Sequence, residues 1–183
     1  MRRLGPAVAG LLLSFVTAGC GASNGPSFDG AVYRRGPVAF RIGQVPSAWR
    51  AVDVTDASLA YRDDARGASI LVNGRCHKPD DATPLVALTN HLVIGSTMRE
   101  IASQEAEPFD GREILHTKMR AKWDGVPMSL DIYVMKKDGC VYDFVYMGDP
   151  KGFDDGAKDF ETFVHGFRTL PGSGTVGTSG PKA

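Results

Sequence analysis

Cysteine is scarce in this chain, with three among 183 residues, and so is histidine, with four. His77, His91, His116 and His165 stand singly, without a His-x-x-x-His or glutamate-rich spacing, which argues against a zinc centre. The globular part has no EF-hand loop, phosphate loop, dinucleotide fingerprint or Gly-x-Ser-x-Gly element, so it offers no motif for nucleotide or acyl-hydrolase chemistry. No cofactor is expected. The pairs Asp63-Asp64, Asp80-Asp81 and Asp154-Asp155 fall in turns or at helix starts, where aspartate caps local backbone. Net charge is also missing, at 21 basic against 21 acidic residues. Neutrality argues against nucleic acid, or a strongly anionic surface, as the main partner. Beyond the N-terminus no segment is apolar and long enough to span a bilayer.

What is present begins with an export signal. Arg2 and Arg3 supply a positive start, and residues 8–16 form an apolar run interrupted by small residues and Ser14. That run is too short for a membrane span and reads as a signal peptide over residues 1–19. Thr17-Ala18-Gly19-Cys20 follows and resembles the lipobox of bacterial lipoproteins. The resemblance implies cleavage after Gly19 and diacylglycerylation of Cys20, and hence a lipid bilayer as a partner held without a transmembrane helix. The alternative is an ordinary secretory signal in which Cys20 is incidental. Gly21 is not the aspartate that favours inner-membrane retention in enteric bacteria. In a Gram-negative source this points to the periplasmic face of the outer membrane.

Removal of the signal takes away Arg2 and Arg3 and leaves 19 basic against 21 acidic residues, a charge of −2. The glycine- and serine-containing residues 20–30 read as a lipidated cysteine and flexible tether, and residues 171–183 as a disordered tail. Between them, residues 31–170 suit one domain with one core. With Cys20 lipidated, Cys76 and Cys140 form an even pair in an oxidising compartment, and a disulfide is expected between them. A competing reading makes Cys76 and His77 a nucleophile and base. Adjacent residues on an extended chain point to opposite faces, which opposes that dyad.

Val38, Phe40 and Ile42 alternate as in a half-buried strand, and residues 57–62 and 68–76 read as two more. Thr83 and Pro84 supply an N-cap and a first-turn proline for a helix to about Ile94, with Leu85, Leu88 and Leu92 at helical spacing. Residues 99–107 read as extended. From Arg112 to Met147, Asp124-Gly125 and Asp138-Gly139 divide three extended runs into an antiparallel meander. A two-residue loop at Asp124-Gly125 pairs Trp123 with Val126, Met119 with Leu130, Thr117 with Ile132 and Leu115 with Val134 on one face. On the other face it sets Lys118 opposite Asp131 and His116 opposite Tyr133. For the second hairpin a three-residue turn is preferred, because a two-residue turn would place Asp143 beside Val134 and bury a carboxylate. Phe160, Phe163, Val164 and Phe167 mark a closing amphipathic helix that starts near Asp154 or Asp155.

Strands, a helix, a meander and a closing helix describe an α+β fold, an antiparallel β-sheet flanked by helices. Phe40-Arg41-Ile42, then Val45-Pro46-Ser47-Ala48-Trp49, then Ala68-Ser69-Ile70-Leu71-Val72 and a final Val164-His165-Gly166-Phe167 resemble PsbP-like and DcrB-type lipoproteins. The resemblance implies a PsbP-like α/β/α sandwich and an accessory or binding role, and it carries over no catalytic set.

Two surfaces are candidates. Lys118, Arg120 and Lys122 alternate with the apolar face of one strand and project together, as a stripe for an acidic partner or anionic headgroups. The bland reading is a solvated strand face with Lys118 paired to Asp131. Tyr133, Tyr142, Phe144 and Tyr146 are candidates for an aromatic groove that takes a small ligand; packing beneath a helix is the alternative. The expected function is a membrane-anchored, non-enzymatic accessory or binding module of the cell envelope, with an envelope protein or small ligand as partner. The alternatives are a ligand-binding or hydrolytic protein with a cleft at the sheet edge, and a purely structural envelope protein.

Overall fold

Three Asp-Gly turns organise the longest strands. In Asp110-Gly111, Asp124-Gly125 and Asp138-Gly139 both residues have positive φ, from 44° to 82°. Tight hairpins twisted to match their strands need that conformation, and aspartate followed by glycine adopts it at low cost. The computed structural model, which describes residues 25–76 and 82–171, thus has β7 (Thr97–Phe109), β8 (Arg112–Trp123), β9 (Val126–Lys137) and β10 (Cys140–Gly148) in one meander. The β8–β9 register is the one expected, from Trp123 opposite Val126 to Leu115 opposite Val134. The expected meander gains β7, whose turn at Asp110-Gly111 was not singled out.

The second hairpin corrects an expectation. Its loop has two residues, and Asp143 stands opposite Val134. The carboxylate is 1% exposed, but it is not alone. Asp143 also lies opposite Asn73 on β6 (Ala68–Arg75), and Arg75 Nη2 comes to 2.8 Å of Asp143 Oδ1. A cation from the neighbouring strand offsets part of the penalty that opposed this register.

On the far side of β10, β6 is followed by β5 (Leu59–Asp63) and β4 (Trp49–Ala51), so the large sheet has the order β4-β5-β6-β10-β9-β8-β7. A second sheet, absent from the expectation, joins β1 (Ser27–Phe28), β2 (Val32–Arg35), β3 (Val38–Arg41) and β11 (Arg168–Thr169) in that order. The stretch expected to be tether therefore contributes β1. Asp110 ties the two sheets together: its Oδ2 accepts from Lys137 Nζ at 2.8 Å and from the Thr169 amide at 3.0 Å. Burial raises its carboxyl, but Lys137 and Thr169 outweigh that and bring it below the usual aspartate value.

Helix α1 (Leu85–Leu92) packs on β8 and β9 on one face of the large sheet, and α2 (Phe153–His165) packs on β9 and β10. Pro84, not Thr83, is the N-cap of α1. The Thr83 carbonyl instead accepts from Lys136 Nζ at 2.9 Å. Asp154 and Asp155 lie in the first turn of α2, as expected, where negative charge suits the helix dipole. Helix α2 sits close to the sheet because Gly156 has no Cβ to meet the Tyr146 hydroxyl, which lies where that atom would be. No helix of the described residues is long and apolar enough to cross a membrane.

Cys76 and Cys140, 64 positions apart in sequence, are bonded, with Cα atoms 4.0 Å apart. They follow directly from the strand pairing, since Arg75 lies opposite Val141. The bond leaves neither thiol for nucleophilic chemistry. Cys20, His77 and the Asp80-Asp81 pair lie outside the described residues.

Candidate functional site

The two faces of the large sheet are covered unequally, and the site arises from that inequality. Seven strands at a spacing of about 4.8 Å make a face roughly 29 Å wide. Helix α1 has eight residues, which gives a rod about 12 Å long and some 10–12 Å across. It cannot cover that face. Leu85, Leu88 and Leu92 cap Ile132, Val134, Met119 and Leu130 at the centre, while Trp123, Met128, Val145 and Met147 around them stay half-buried.

A cavity of about 420 Å³ opens beside the C-terminal end of α1. Its floor crosses four adjacent strands: Leu71 and Asn73 of β6, Val145 and Met147 of β10, Met128 and Leu130 of β9, and Trp123 of β8. Leu92 and Val126 form its sides. Volume and composition are those of a small-molecule site, a largely apolar wall with one polar group to orient a ligand. Two flexible methionines let such a wall adapt in shape. Asn73, the polar group, neighbours the buried Asp143–Arg75 pair. Burial pushes the Asp143 carboxyl up, and Arg75 and Asn73 pull it part of the way back. A second, more polar cavity of about 470 Å³ lies between Tyr33, Arg35 and the loop of residues 53–58.

The expected aromatic groove is not open. Tyr133, Tyr142, Phe144 and Tyr146 share the opposite face and are fully buried. The physical reason is α2, whose Phe160 packs on both Tyr133 and Tyr146, together with Phe167, which packs on Tyr142 and Phe144. These rings are the core. Burial raises the Tyr146 hydroxyl to about 12 and pushes Tyr133 higher still, so neither is an acid–base group at neutral pH.

Lys118, Arg120 and Lys122 do project together from β8, alternating with buried Met119 and Ala121. Lys118 stands opposite Asp131 as expected, but the carboxylate turns elsewhere. Asp131 Oδ1 lies 2.6 Å from His116 Nε2, and the imidazole stacks on Tyr133 at 3.9 Å. Asp131 is 1% exposed, so a neighbouring ring reaches it where a solvated lysine does not. None of the three basic side chains makes an ion pair with a described residue. The His116–Asp131 pair lines neither of the two cavities. Among the described residues no group of three histidine, cysteine or acidic side chains is placed to hold a metal ion.

No family model matches the chain, and no curated protein matches it significantly. Solved structures do. A cyanobacterial PsbP from Synechocystis superposes with a TM-score of 0.53 at 16% identity, over 85% of this chain and 98% of that one. The fold is PsbP-like. LpqN of Mycobacterium tuberculosis, described as involved in cell envelope biogenesis, gives a TM-score of 0.54 at 15% identity over 80% of this chain and 90% of its own. The α/β/α arrangement of a PsbP-like domain is thus present, with α1 and α2 on opposite faces. The α1-face cavity was missed in the sequence, although the alternation of Met128 with Leu130 and of Val145 with Met147 marked one apolar strand face.

Proposed function

We propose that this chain is an exported, lipid-anchored accessory module of the cell envelope that binds a small apolar ligand in the α1-face cavity and carries out no reaction on it. The observation that carries the reading is the cavity itself: preformed, about 420 Å³, walled by leucine, valine, methionine and tryptophan. The likeness in fold to an envelope protein supports the setting. The disulfide fits an oxidising compartment. The absence of a free thiol among Cys76 and Cys140, and the distance in chemistry between an apolar cavity and the His116–Asp131 pair on the opposite face, speak against a hydrolase.

The binding test uses Trp123, which lines the cavity, against Trp49, which is buried in the other core. In Trp49→Phe, titration with an uncharged naphthylamine dye should quench or shift Trp123 emission and saturate with one dye per chain. Filling the cavity with Val145→Phe in that background, which adds no second tryptophan emission, should abolish the saturable signal. A linear, unsaturable response in both proteins would remove the ligand reading. Anchoring is tested separately by labelling with radioactive palmitate, which should mark the wild type and not Cys20→Ala. Equal labelling would remove the lipid anchor and leave the cavity untouched.

A further inference from the structure

We propose that the end of the domain formed by the β8–β9 hairpin and the start of β7 docks on an anionic lipid bilayer, with the cavity opening toward it. This rests on the ligand-binding reading for its purpose, but not for its evidence. The four most exposed large apolar side chains among the described residues are Met98, Ile94, Val126 and Ile101, at 73%, 64%, 57% and 53%. They are gathered at one end. Val126 begins β9 directly after the hairpin turn, Thr97 pairs with Lys122 next to that turn, and Ile101 pairs with Met119. Met98 protrudes at a break in the β7 ladder, where its φ is 49°.

The four protrude from a hairpin tip, a bulge, a strand and a loop at one end of the sheet, and one of them, Val126, also lines the cavity. Such protrusions suit insertion between headgroups more than a flat protein interface. Charge complements them. Lys118, Arg120 and Lys122 run along β8 to the same tip on the sheet face opposite the cavity. Glu100 stands across the ladder from Arg120 without an ion pair between them, and the carboxylate opposite Lys118 is taken by His116. A net charge near zero for the whole chain therefore conceals a local cationic stripe. Trp123, beside Lys122, has the amphipathic ring that settles at headgroup level, and it also lines the cavity. An apolar ligand could pass between acyl chains and cavity without crossing water. The small sheet that carries the N-terminal residues packs on Gly74 and Tyr142 through Val38 and Phe40, at the other end of the strands. A lipid at Cys20 and this tip would then be two separate membrane contacts, the first holding the chain at the bilayer and the second orienting the domain on it.

The test is co-sedimentation of the mature chain carrying Cys20→Ser, so that no acyl group contributes, with vesicles of phosphatidylcholine containing none, a tenth or a third phosphatidylglycerol. Binding should rise with the anionic fraction and fall with salt. Lys118→Gln, Arg120→Gln and Lys122→Gln should each weaken it about fivefold, and the triple variant about a hundredfold. Ile94→Asp with Met98→Asp, two exposed residues outside the cavity wall, should also release the protein, and so should Val126→Asp. The control is Arg34→Gln with Arg35→Gln and Arg41→Gln, three exposed cations of the small sheet, which should cost far less. Equal loss in the control, binding indifferent to the anionic fraction, or no sedimentation with any vesicle would overturn the proposal. The last result would leave an acidic protein as the partner of the stripe. Dye binding without vesicles should persist in every one of these variants except the one at Val126, which lines the cavity. Failure of docking in the lysine, arginine, Ile94 and Met98 variants is thereby told apart from failure of ligand binding.

Discussion

The two faces of the large sheet are built to different rules. Under α2 the side chains are mostly rings: Tyr61, Tyr133, Tyr142, Phe144 and Tyr146 meet Phe160, Phe163 and Phe167, and most of these are entirely enclosed. Aromatic rings fill space in large rigid pieces, and the disulfide fastens that same cluster. Under α1 the residues are aliphatic or methionine, many half-buried, and one helix of eight residues leaves a cavity beside it. The difference teaches a division of labour within one sheet. The ring-packed face is the more completely filled of the two cores, and the face with incomplete cover is free to admit something else.

That comparison can be broken by mutation. Phe160→Ala, in the ring-packed face, should cost about 3–5 kcal/mol in urea denaturation. Loss of the disulfide through Cys76→Ser with Cys140→Ser should cost about 4 kcal/mol, because a loop of some 65 residues is released in the unfolded chain. Neither change touches the cavity wall, so dye affinity per folded molecule should hold. Met128→Ala, on the cavity wall, should cost about 1 kcal/mol or less, since it enlarges an existing space instead of opening one in a filled core. It should weaken dye binding several-fold. If Met128→Ala proved as costly as Phe160→Ala, the two faces would not differ in the way proposed.

Much of this contrast was legible before the structure. The Asp124-Gly125 dipeptide and the alternation around it fixed the β8–β9 pairing, since a slip of one residue would have exchanged the faces. The spacing of Phe160, Phe163 and Val164 placed the closing helix, although it ends at His165 and Phe167 lies just past its C-cap. The second hairpin was misread because the residue that decides it, Arg75, lies on β6, far from Asp143 in the chain. Of the small sheet only β3 was legible, from the alternation of Val38 and Phe40; strands as short as Ser27–Phe28 and Arg168–Thr169 carry no periodicity to read. The aromatic candidates were chosen by residue type, and residue type does not reveal whether a helix lies on top. The cavity depends on the width of the sheet relative to the length of α1, a quantity no single segment contains.

The smallest effect has the most informative sign. Asp143 lies on the open face, and burial raises its carboxyl above the ordinary 3.8 despite Arg75 and Asn73. A group whose folded value exceeds its unfolded value holds its proton more readily when folded. Its contribution is therefore fully favourable below the unfolded value and is lost as pH rises through the folded one. Asp143→Asn removes that loss. The variant should match the wild type in melting temperature at about pH 3, gain on it as pH rises past 4, and remain the more stable at neutrality. Arg75→Ala should act in the opposite direction at neutral pH, because it leaves the carboxylate buried without its cation. A wild type that instead gained from Asp143 ionisation would show Asn to be destabilising at pH 7. Arg75 would then do more than offset burial, and the polar patch next to Asn73 would be a rigid part of the fold instead of the soft edge of a binding site.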